Sequence, residues 1–220
     1  MFGSAVEDYL KAVYKLSQTG GRVAPSAVAE IQGVSLAAVT KMVRRLRELK
    51  LVTYERADGI ALTPSGAKVA LEIIRHHRLL EVYLKEALGY TWDQVDGEAE
   101  VLEHVISEEF EDRIDKMLGH PTRDPHGDPI PTKDGRIDAT LHPSLVEMEP
   151  GQKGRVARVS DADPEMLRYL GKLGIYPEVV VELVEREPFG GPFHVKIAGQ
   201  KQRIGEELAR NVFISLGRNA

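Results

Sequence analysis

A dense run of prolines most constrains the fold of this chain. Six of its twelve prolines lie between residues 119 and 151. Proline lacks a backbone N–H and fixes φ, so this segment can form neither a long helix nor a central strand. We therefore predict an irregular linker between a larger N-terminal part and a smaller C-terminal part.

The N-terminal part has the pattern of three helices followed by a β-hairpin. Apolar residues recur at helical spacing in three short segments, and Asp58-Gly59 is a strong hairpin signal between two β-prone stretches. This order predicts a winged helix-turn-helix. The predicted helices are Val6–Ser17, Ser26–Ile31 with Ser26 as N-cap, and a third capped by Ser35; the strands are Leu51–Glu55 and Ile60–Thr63.

Charge is unevenly distributed in this chain of net charge -5. Residues 22–56 hold seven Lys/Arg against three Glu, a local charge of +4, which suits a polyanion such as double-stranded DNA. Small and polar residues at the start of the third helix suit base edges, and basic residues suit phosphates. The predicted DNA-binding residues are Ser35, Ala37, Ala38, Thr40, Lys41, Arg44, Arg45 and Arg56.

Helical patterns continue after the hairpin from Pro64 to about Leu88 and over residues 94–118, whereas strand-like segments follow the linker. We expect strands at 156–159, 179–184 and 193–197, a helix at about Pro164–Lys172, and a small β-barrel. The predicted fold class is α+β. The predicted domains are a winged helix at 1–66, a helical dimerisation and metal-binding domain with the linker at 67–142, and the barrel at 143–220.

The second helical segment carries a candidate metal site. Residues 81–117 hold twelve Asp/Glu against three Lys/Arg, a local charge of -9. On a helix Glu100, Glu103 and His104 would share one face, with Asp96 a turn earlier, and His77 with Glu81 would form an i,i+4 pair. Such crowded carboxylates repel unless a proton or divalent cation neutralises them. The chain has no cysteine, and oxygen and imidazole donors favour Mn²⁺ or Fe²⁺ over Cu(I).

Three interpretations compete with that of a metal-responsive regulator. An acidic helix with a histidine is most often a solvated surface, and a winged-helix regulator could respond to an organic ligand. A metal-dependent hydrolase could activate water with a His/Glu cluster, but no nucleophile motif or phosphate loop is recognisable. We favour a non-enzymatic regulator, with the acidic half turned away from DNA and apolar faces of 69–84 and 99–110 forming a homodimer. Neither a signal peptide nor a membrane segment is recognisable, so we expect a cytoplasmic protein.

Several spaced motifs resemble the diphtheria-toxin-repressor family, which includes iron-dependent regulators and manganese transport regulators. The resemblance implies a dimeric, metal-activated repressor of metal-homeostasis genes with a palindromic operator, no organic substrate, and an SH3-like, FeoA-like C-terminal barrel. Its carriers are Glu7-Asp8-Tyr9-Leu10, Val39-Thr40-Lys41-Met42-Val43, Leu62-Thr63-Pro64-Ser65-Gly66, His77-Arg78-Leu79-Leu80-Glu81, Glu98-Ala-Glu-Val-Leu-Glu-His104 and, for the barrel, residues 166–177.

The resemblance also implies ligands. A primary site would use Asp8, Glu100, Glu103 and His104, and an ancillary site His77, Glu81 and Asp96. Asp8 and Glu100 follow the manganese branch, whereas iron-sensing members typically have Met and Cys there, so Mn²⁺ is the preferred ion. Three positions depart from relatives: Lys11 replaces a glutamate ligand, Asp96 a histidine, and Met166 an amide. The barrel would supply a further ligand, for which Asp163 is the candidate.

Overall fold

The computed structural model describes residues 2–18 and 20–216 and divides into two compact units. The boundaries expected after residues 66 and 142 stay predictions. No helix in the described residues is long and apolar enough to cross a membrane. The first unit comprises Met1–His77, Glu100–Glu111 and Pro131–Ile137; the second comprises Arg78–Ala99, Asp112–Ile130 and Asp138–Ala220.

The first unit begins with the three helices and hairpin that the sequence predicts. Ser35 caps the third helix by accepting a hydrogen bond from the backbone N–H of Ala38. The expectation that Ser26 caps the second helix is wrong, because Ala24 is the N-cap and Pro25 fills the first helical position, where its missing N–H does no harm. The elements are α1 (Ser4–Ser17), α2 (Pro25–Ile31), α3 (Leu36–Glu48), β1 (Val52–Glu55) and β2 (Gly59–Leu62).

One core joins α1 to α3. Leu10 from α1, Leu46 from α3 and Ile60 from β2 are fully buried in the same cluster of apolar side chains. Each such side chain contributes about 1.5–3 kcal/mol by leaving water. Because they share this core, α1 and α3 are held as one body.

The helical segment after the hairpin contains α4 (Pro64–Leu88), α5 (Val95–Leu102) and α6 (Glu108–Met117). The single helical pattern expected over 94–118 is therefore two helices. Ser107 ends the continuity, because its hydroxyl accepts from the backbone N–H of Phe110 and its carbonyl from that of Glu111, which starts a new helix. Glu103 and His104 consequently lie in a turn, and Val105 is 72% exposed.

The second unit contains a five-stranded antiparallel sheet in the order β6-β5-β4-β3-β7. Three strands and α7 match the sequence prediction, whereas β6, β7 and a short helix between them were not predicted. Its core includes Leu167, Val181 and Phe193. The elements are β3 (Lys153–Val159), α7 (Pro164–Lys172), β4 (Val180–Arg186), β5 (Phe193–Ile197), β6 (Gln200–Ile204), α8 (Glu206–Arg210) and β7 (Val212–Leu216).

The proline-rich segment is irregular, as predicted. Among its described residues it contains an isolated bridge between Arg123 and Pro129 and one 3-10 turn at Leu145–Glu147. Asp124 organises part of it, since its Oδ1 accepts from the backbone N–H groups of His126 and Asp128. These bonds hold the Asp124 carboxylate against the backbone of its own turn, next to His126.

Candidate metal centres and DNA-binding face

The first unit brings acidic, basic and imidazole groups from three places in the chain into one cluster, the first-helix cluster. α1 supplies three side chains, α4 supplies one, and the end of α5 with the following turn supplies three. Four of them are buried to at least 95% of their surface. The members are Glu7, Asp8, Lys11, His77, Glu100, Glu103 and His104.

His104 is arranged as a metal ligand. Its Nδ1 lies 2.8 Å from Glu7 Oε2, so this nitrogen can donate a hydrogen bond to the carboxylate. The lone pair of Nε2 then points towards Asp8 Oδ1 at 2.8 Å and Glu103 Oε1 at 3.4 Å. Asp8 Oδ1 is buried without a hydrogen bond despite that short contact. Two facing acceptors require a proton or cation between them, and a carboxylate that orients an imidazole is a common support for a metal ligand.

Lys11 fills the other side of this cluster. Its Nζ lies 2.7 Å from Glu100 Oε2, 2.7 Å from Glu103 Oε2 and 3.1 Å from His77 Nδ1. His77, Glu100 and Glu103 are themselves possible metal ligands, and one ligand atom from each lies within 4.8 Å of the others. The ammonium therefore supplies the positive charge at this second group of donors. The sequence identified Lys11 as a departure from its relatives but did not predict this contact.

The electrostatics of the cluster follow from burial and neighbouring charge. Burial raises the pKa of Asp8, an effect that His104 opposes and Glu100 reinforces. Burial disfavours the charged forms of both Lys11 and Glu103. Attraction to Glu103 and Glu100 nevertheless raises the pKa of Lys11, and the contacts with His77 and Lys11 lower the pKa of Glu103. Glu103 is therefore a carboxylate near neutral pH, and a cation beside Asp8 would offset the cost of burying its charge.

The second unit contains another group of possible ligands, the Glu81 cluster, formed by Glu81, Asp124 and His126. One ligand atom from each lies within 4.8 Å of the others, and all three residues are buried. His126 Nε2 lies 2.6 Å from the carbonyl of Trp92, to which it can donate a hydrogen bond. Its Nδ1 is then an acceptor 3.4 Å from Glu81 Oε1, and it is buried without a hydrogen bond. In its neutral form the imidazole thus presents a lone pair to two carboxylates, as that of His104 does.

Burial and the proximity of carboxylates shift the pKa values in the Glu81 cluster. Burial lowers the pKa of His126, but Glu81 and Asp124 outweigh it and raise the value to about 9. Burial, Glu81 and Asp128 raise the pKa of Asp124. A divalent ion at this cluster would compete with protons for both groups. Sequence reasoning missed Asp124 and His126 because they lie in the proline-rich segment, which was interpreted only as a linker.

The remaining predicted ligands have different surroundings. Asp96 lies in the first turn of α5, with a carboxylate oxygen within 4.8 Å of one of Glu81. Asp163 is exposed and caps α7, where its Oδ1 accepts from the backbone N–H groups of Glu165 at 2.8 Å and Met166 at 3.3 Å. Capping engages this oxygen, and none of the ligand groups found in the described residues includes Asp163.

The predicted DNA-binding residues lie on one exposed element and on the hairpin. Seven belong to the start and outer face of α3 or to its cap, and Arg56 lies at the hairpin tip; all eight are exposed. Beside α3 is a groove of about 520 Å³ lined in part by Thr40, Lys41 and Arg44. Arg22 supports the hairpin by donating to the carbonyl of Gly59 and the hydroxyl of Thr53. The basic face is thus the outer face of the body that also contains α1.

Comparison with known proteins identifies the family. Residues 1–60 match the model "Iron dependent repressor, N-terminal DNA binding domain", and residues 63–132 match "Iron dependent repressor, metal binding and dimerisation domain". The iron-dependent repressor IdeR of Mycobacterium tuberculosis is 30% identical over 219 residues, which cover 94% of each sequence. This chain belongs to the iron-dependent repressor family. The repressor is therefore a metal-dependent transcriptional regulator, a class of DNA-binding proteins and not of enzymes.

Solved structures support the same conclusion for the fold of the repressor. A manganese-dependent transcriptional repressor in complex with manganese is 39% identical, has a TM-score of 0.89, and is matched over 96% of this chain and 99% of its own. ScaR with bound Zn²⁺ is 31% identical with a TM-score of 0.81, over 96% and 99%. Residues 144–216 match the FeoA domain. The predicted α+β class and small C-terminal β-domain are thereby confirmed.

Proposed function

We propose that this repressor binds its operator when a divalent ion, Mn²⁺ or Fe²⁺, is held by Asp8, Glu103 and His104. The observation that carries the proposal is the buried contact of His104 Nε2 with Asp8 Oδ1, two acceptors that a cation would join. The ion supplies positive charge to this group. Glu7 orients the imidazole, and Lys11 neutralises Glu100 and part of Glu103.

A bound ion would affect DNA binding through α1. Asp8 is on the helix whose Leu10 shares a core with Leu46 of the recognition helix α3. Joining Asp8 to Glu103 and His104 therefore restrains the whole DNA-binding body relative to the turn after α5. Without the ion, the unpaired acceptors repel, and α1 samples positions in which α3 is not correctly placed.

The donor set favours manganese. Asp8, Glu103 and His104 offer two carboxylates and one imidazole, and none of these three ligands is a sulfur donor that would favour softer ions. The similarity to a repressor described as manganese-dependent supports the same choice, while the relative IdeR is described as iron-dependent. We propose Mn²⁺ as the principal activator, with Fe²⁺ able to bind the same donors.

We further propose that the Glu81 cluster binds a second divalent ion. Its three ligands are buried, and the lone pair of His126 Nδ1 faces the carboxylates of Glu81 and Asp124. An ion at this position would fix the irregular segment around Asp124 to α4. The predicted ancillary set of His77, Glu81 and Asp96 stays a prediction.

The repressor is proposed to act as a homodimer on a palindromic operator. Val101, Val105 and Phe110 of the first unit are apolar residues with exposed fractions of 69%, 72% and 39%, and a second copy could cover them. A twofold dimer would present two copies of α3 to half-sites about 10 bp, or a multiple of that, apart. Binding to chromosomal operators implies a cytoplasmic location.

An Asp8→Ala variant tests the proposal. It should lose Mn²⁺-dependent operator binding in a gel shift while retaining its circular dichroism spectrum, because Asp8 lies at the edge of the cluster and only partly in the core. The matched control is Glu86→Ala, which removes an exposed carboxylate from α4 and should bind like the parent protein. Equal Mn²⁺ dependence in the Asp8→Ala variant and the parent would reject the mechanism.

A further inference from the structure

We propose that Glu72, His76 and Glu108 form a third divalent-cation site, distinct from the first-helix cluster and the Glu81 cluster. Glu72 and His76 are one turn apart on α4, and Glu108 is the first residue of α6. Two carboxylate oxygens and one imidazole nitrogen from these residues lie within 4.8 Å of one another. The separation is small enough for one ion to contact all three.

The orientation of His76 provides a second, independent observation. This residue is only 4% exposed, and its Nδ1 lies 3.1 Å from the backbone carbonyl of Glu103. The carbonyl can only accept, so Nδ1 carries the hydrogen and a neutral ring presents a lone pair at Nε2. Nε2 is buried and makes no hydrogen bond, although Glu111 Oε2 lies 3.3 Å away. A backbone carbonyl that fixes the opposite nitrogen is the usual support of a metal-binding histidine.

Glu111 has a supporting position in this arrangement. Its Oε1 accepts from the guanidinium of Arg75, which also donates to the carbonyl of Pro131. The carboxylate is therefore held in place beside His76 Nε2, on the side where an ion would add positive charge. His76 Nε2 and Glu111 Oε2 therefore face each other as two hydrogen-bond acceptors, as His104 Nε2 and Asp8 Oδ1 do. A bound cation would supply the positive charge that such a pair lacks.

The cavity next to these residues indicates how firmly an ion would be held. It has a volume of about 230 Å³ and is lined by Glu72, Glu108 and Glu111, but also by Arg75 and Lys133. Lys133 Nζ lies 3.4 Å from Glu108 Oε2 and competes with a metal for that carboxylate. Glu72 and Glu108 are exposed, so water can complete the coordination shell. We therefore expect an exchangeable site for Mn²⁺, Fe²⁺ or Zn²⁺, with Zn²⁺ bound more tightly than Mn²⁺.

The third site is adjacent to the first-helix cluster through one residue. The backbone carbonyl of Glu103 accepts a hydrogen bond from His76, and its carboxylate contacts Lys11 and His104. An ion on His76 would restrain the turn that carries Glu103. The proposal does not depend on the ion at Asp8, because none of its three ligands belongs to that cluster.

Counting bound ions tests the third site. The full-length protein is dialysed to equilibrium against graded free Mn²⁺ or Zn²⁺, and bound metal per chain is measured by mass spectrometry. The test variant is Glu72→Gln/Glu108→Gln, and the control is Glu86→Gln/Glu207→Gln, which also removes two exposed carboxylates. The parent and control should bind one ion per chain more than the test variant at saturation. Equal counts for test variant and parent would overturn the proposal.

A second measurement locates the ion. Paramagnetic Mn²⁺ should broaden the imidazole resonances of His76 in the parent protein at concentrations where the Glu72→Gln/Glu108→Gln variant retains them. Both substituted residues are exposed, so the fold should persist in circular dichroism. If this variant binds as many ions as the parent and keeps Mn²⁺-dependent operator binding, the third site is wrong and the proposed function stands. The Asp8→Ala variant tests the proposed function separately, since only this variant should lose Mn²⁺-dependent operator binding.

Discussion

The ammonium of Lys11 lies 2.9 Å and 2.7 Å from the two carboxylate oxygens of Glu103. Glu103 is fully buried, and Lys11 is only 5% exposed. A divalent ion and this ammonium would both neutralise Glu103, one on each side. We infer that Lys11 leaves room for one ion in the first-helix cluster instead of two.

Lys11→Glu should therefore change the number of ions in the cluster. The substitution replaces the internal cation with a ligand, so we expect one additional Mn²⁺ per chain by calorimetry or metal analysis. Without metal, the lost pairing should lower the unfolding free energy by about 3–5 kcal/mol. Lys15→Glu makes the same charge change at an exposed position of α1 and should leave the ion count unchanged. An unchanged count in Lys11→Glu would show that the ammonium does not exclude an ion.

Glu7→Ala should weaken Mn²⁺ binding by about 10–100-fold, because it removes the carboxylate that orients the His104 imidazole. Glu7→Gln keeps an acceptor oxygen and should lose less affinity. Competition with a fluorescent chelator measures both values. At saturating Mn²⁺ both variants should recover operator binding. Full Mn²⁺ affinity in Glu7→Ala would exclude Glu7 as the positioning residue.

Ion binding at the Glu81 cluster should release protons. The pKa of His126 is raised from 6.5 to about 9, where the proximity of Glu81 outweighs burial, so the ion-free imidazole is protonated at neutral pH. The ion binds the neutral form, and its affinity should rise by about tenfold per pH unit until the pH passes the raised pKa. In the absence of metal, the stability of the fold depends on pH in the opposite direction. The pairing of protonated His126 with Glu81 stabilises the fold fully below the unfolded pKa of 6.5, and this stabilisation is lost as the pH rises through about 9.

Calorimetry in buffers of different ionisation enthalpy measures that release. We expect about one proton from His126 for each ion bound at neutral pH, with Asp124 contributing in the same direction because its pKa is also raised. His126→Gln should remove the His126 contribution and weaken binding. The range from pH 6 to pH 8 spans about two pH units and lies below the raised pKa of His126. If the Mn²⁺ affinity of this cluster stays the same over that range, the assignment is contradicted.

Arg44→Ala should weaken operator binding and lower its dependence on salt. Arg44 is exposed beside the groove along α3, where a cation can contact a phosphate. Losing one phosphate contact should reduce the slope of log affinity against log salt by about 1. Lys153→Ala, an exposed cation of the second unit, should leave the slope unchanged. The same slope in Arg44→Ala and the parent would remove Arg44 from the interface.

Local signals in the sequence were sufficient for much of the fold. The caps, hairpin dipeptide and apolar spacing depend only on neighbours in the chain, which is why α1, α3, the hairpin and α7 were found close to their observed bounds. The Ser107 cap is also local, but the helical spacing on both sides masked it. Strand β7 was missed because it pairs with β3, which is distant in sequence. Strand β6 was missed although it pairs with the neighbouring β5, because Ile204 is its only apolar residue.

The candidate ligands divide in the same way. By itself the sequence determined which helices carry carboxylate and imidazole donors, that no cysteine ligand exists, and which outer face of α3 is basic. Only the tertiary structure decided which donors meet: Glu7 behind His104, Lys11 between Glu100 and Glu103, and His126 beside Glu81. The physical reason is that a donor's chemistry belongs to its residue type, whereas its partner and its pKa depend on burial and on charges that are far away in the chain.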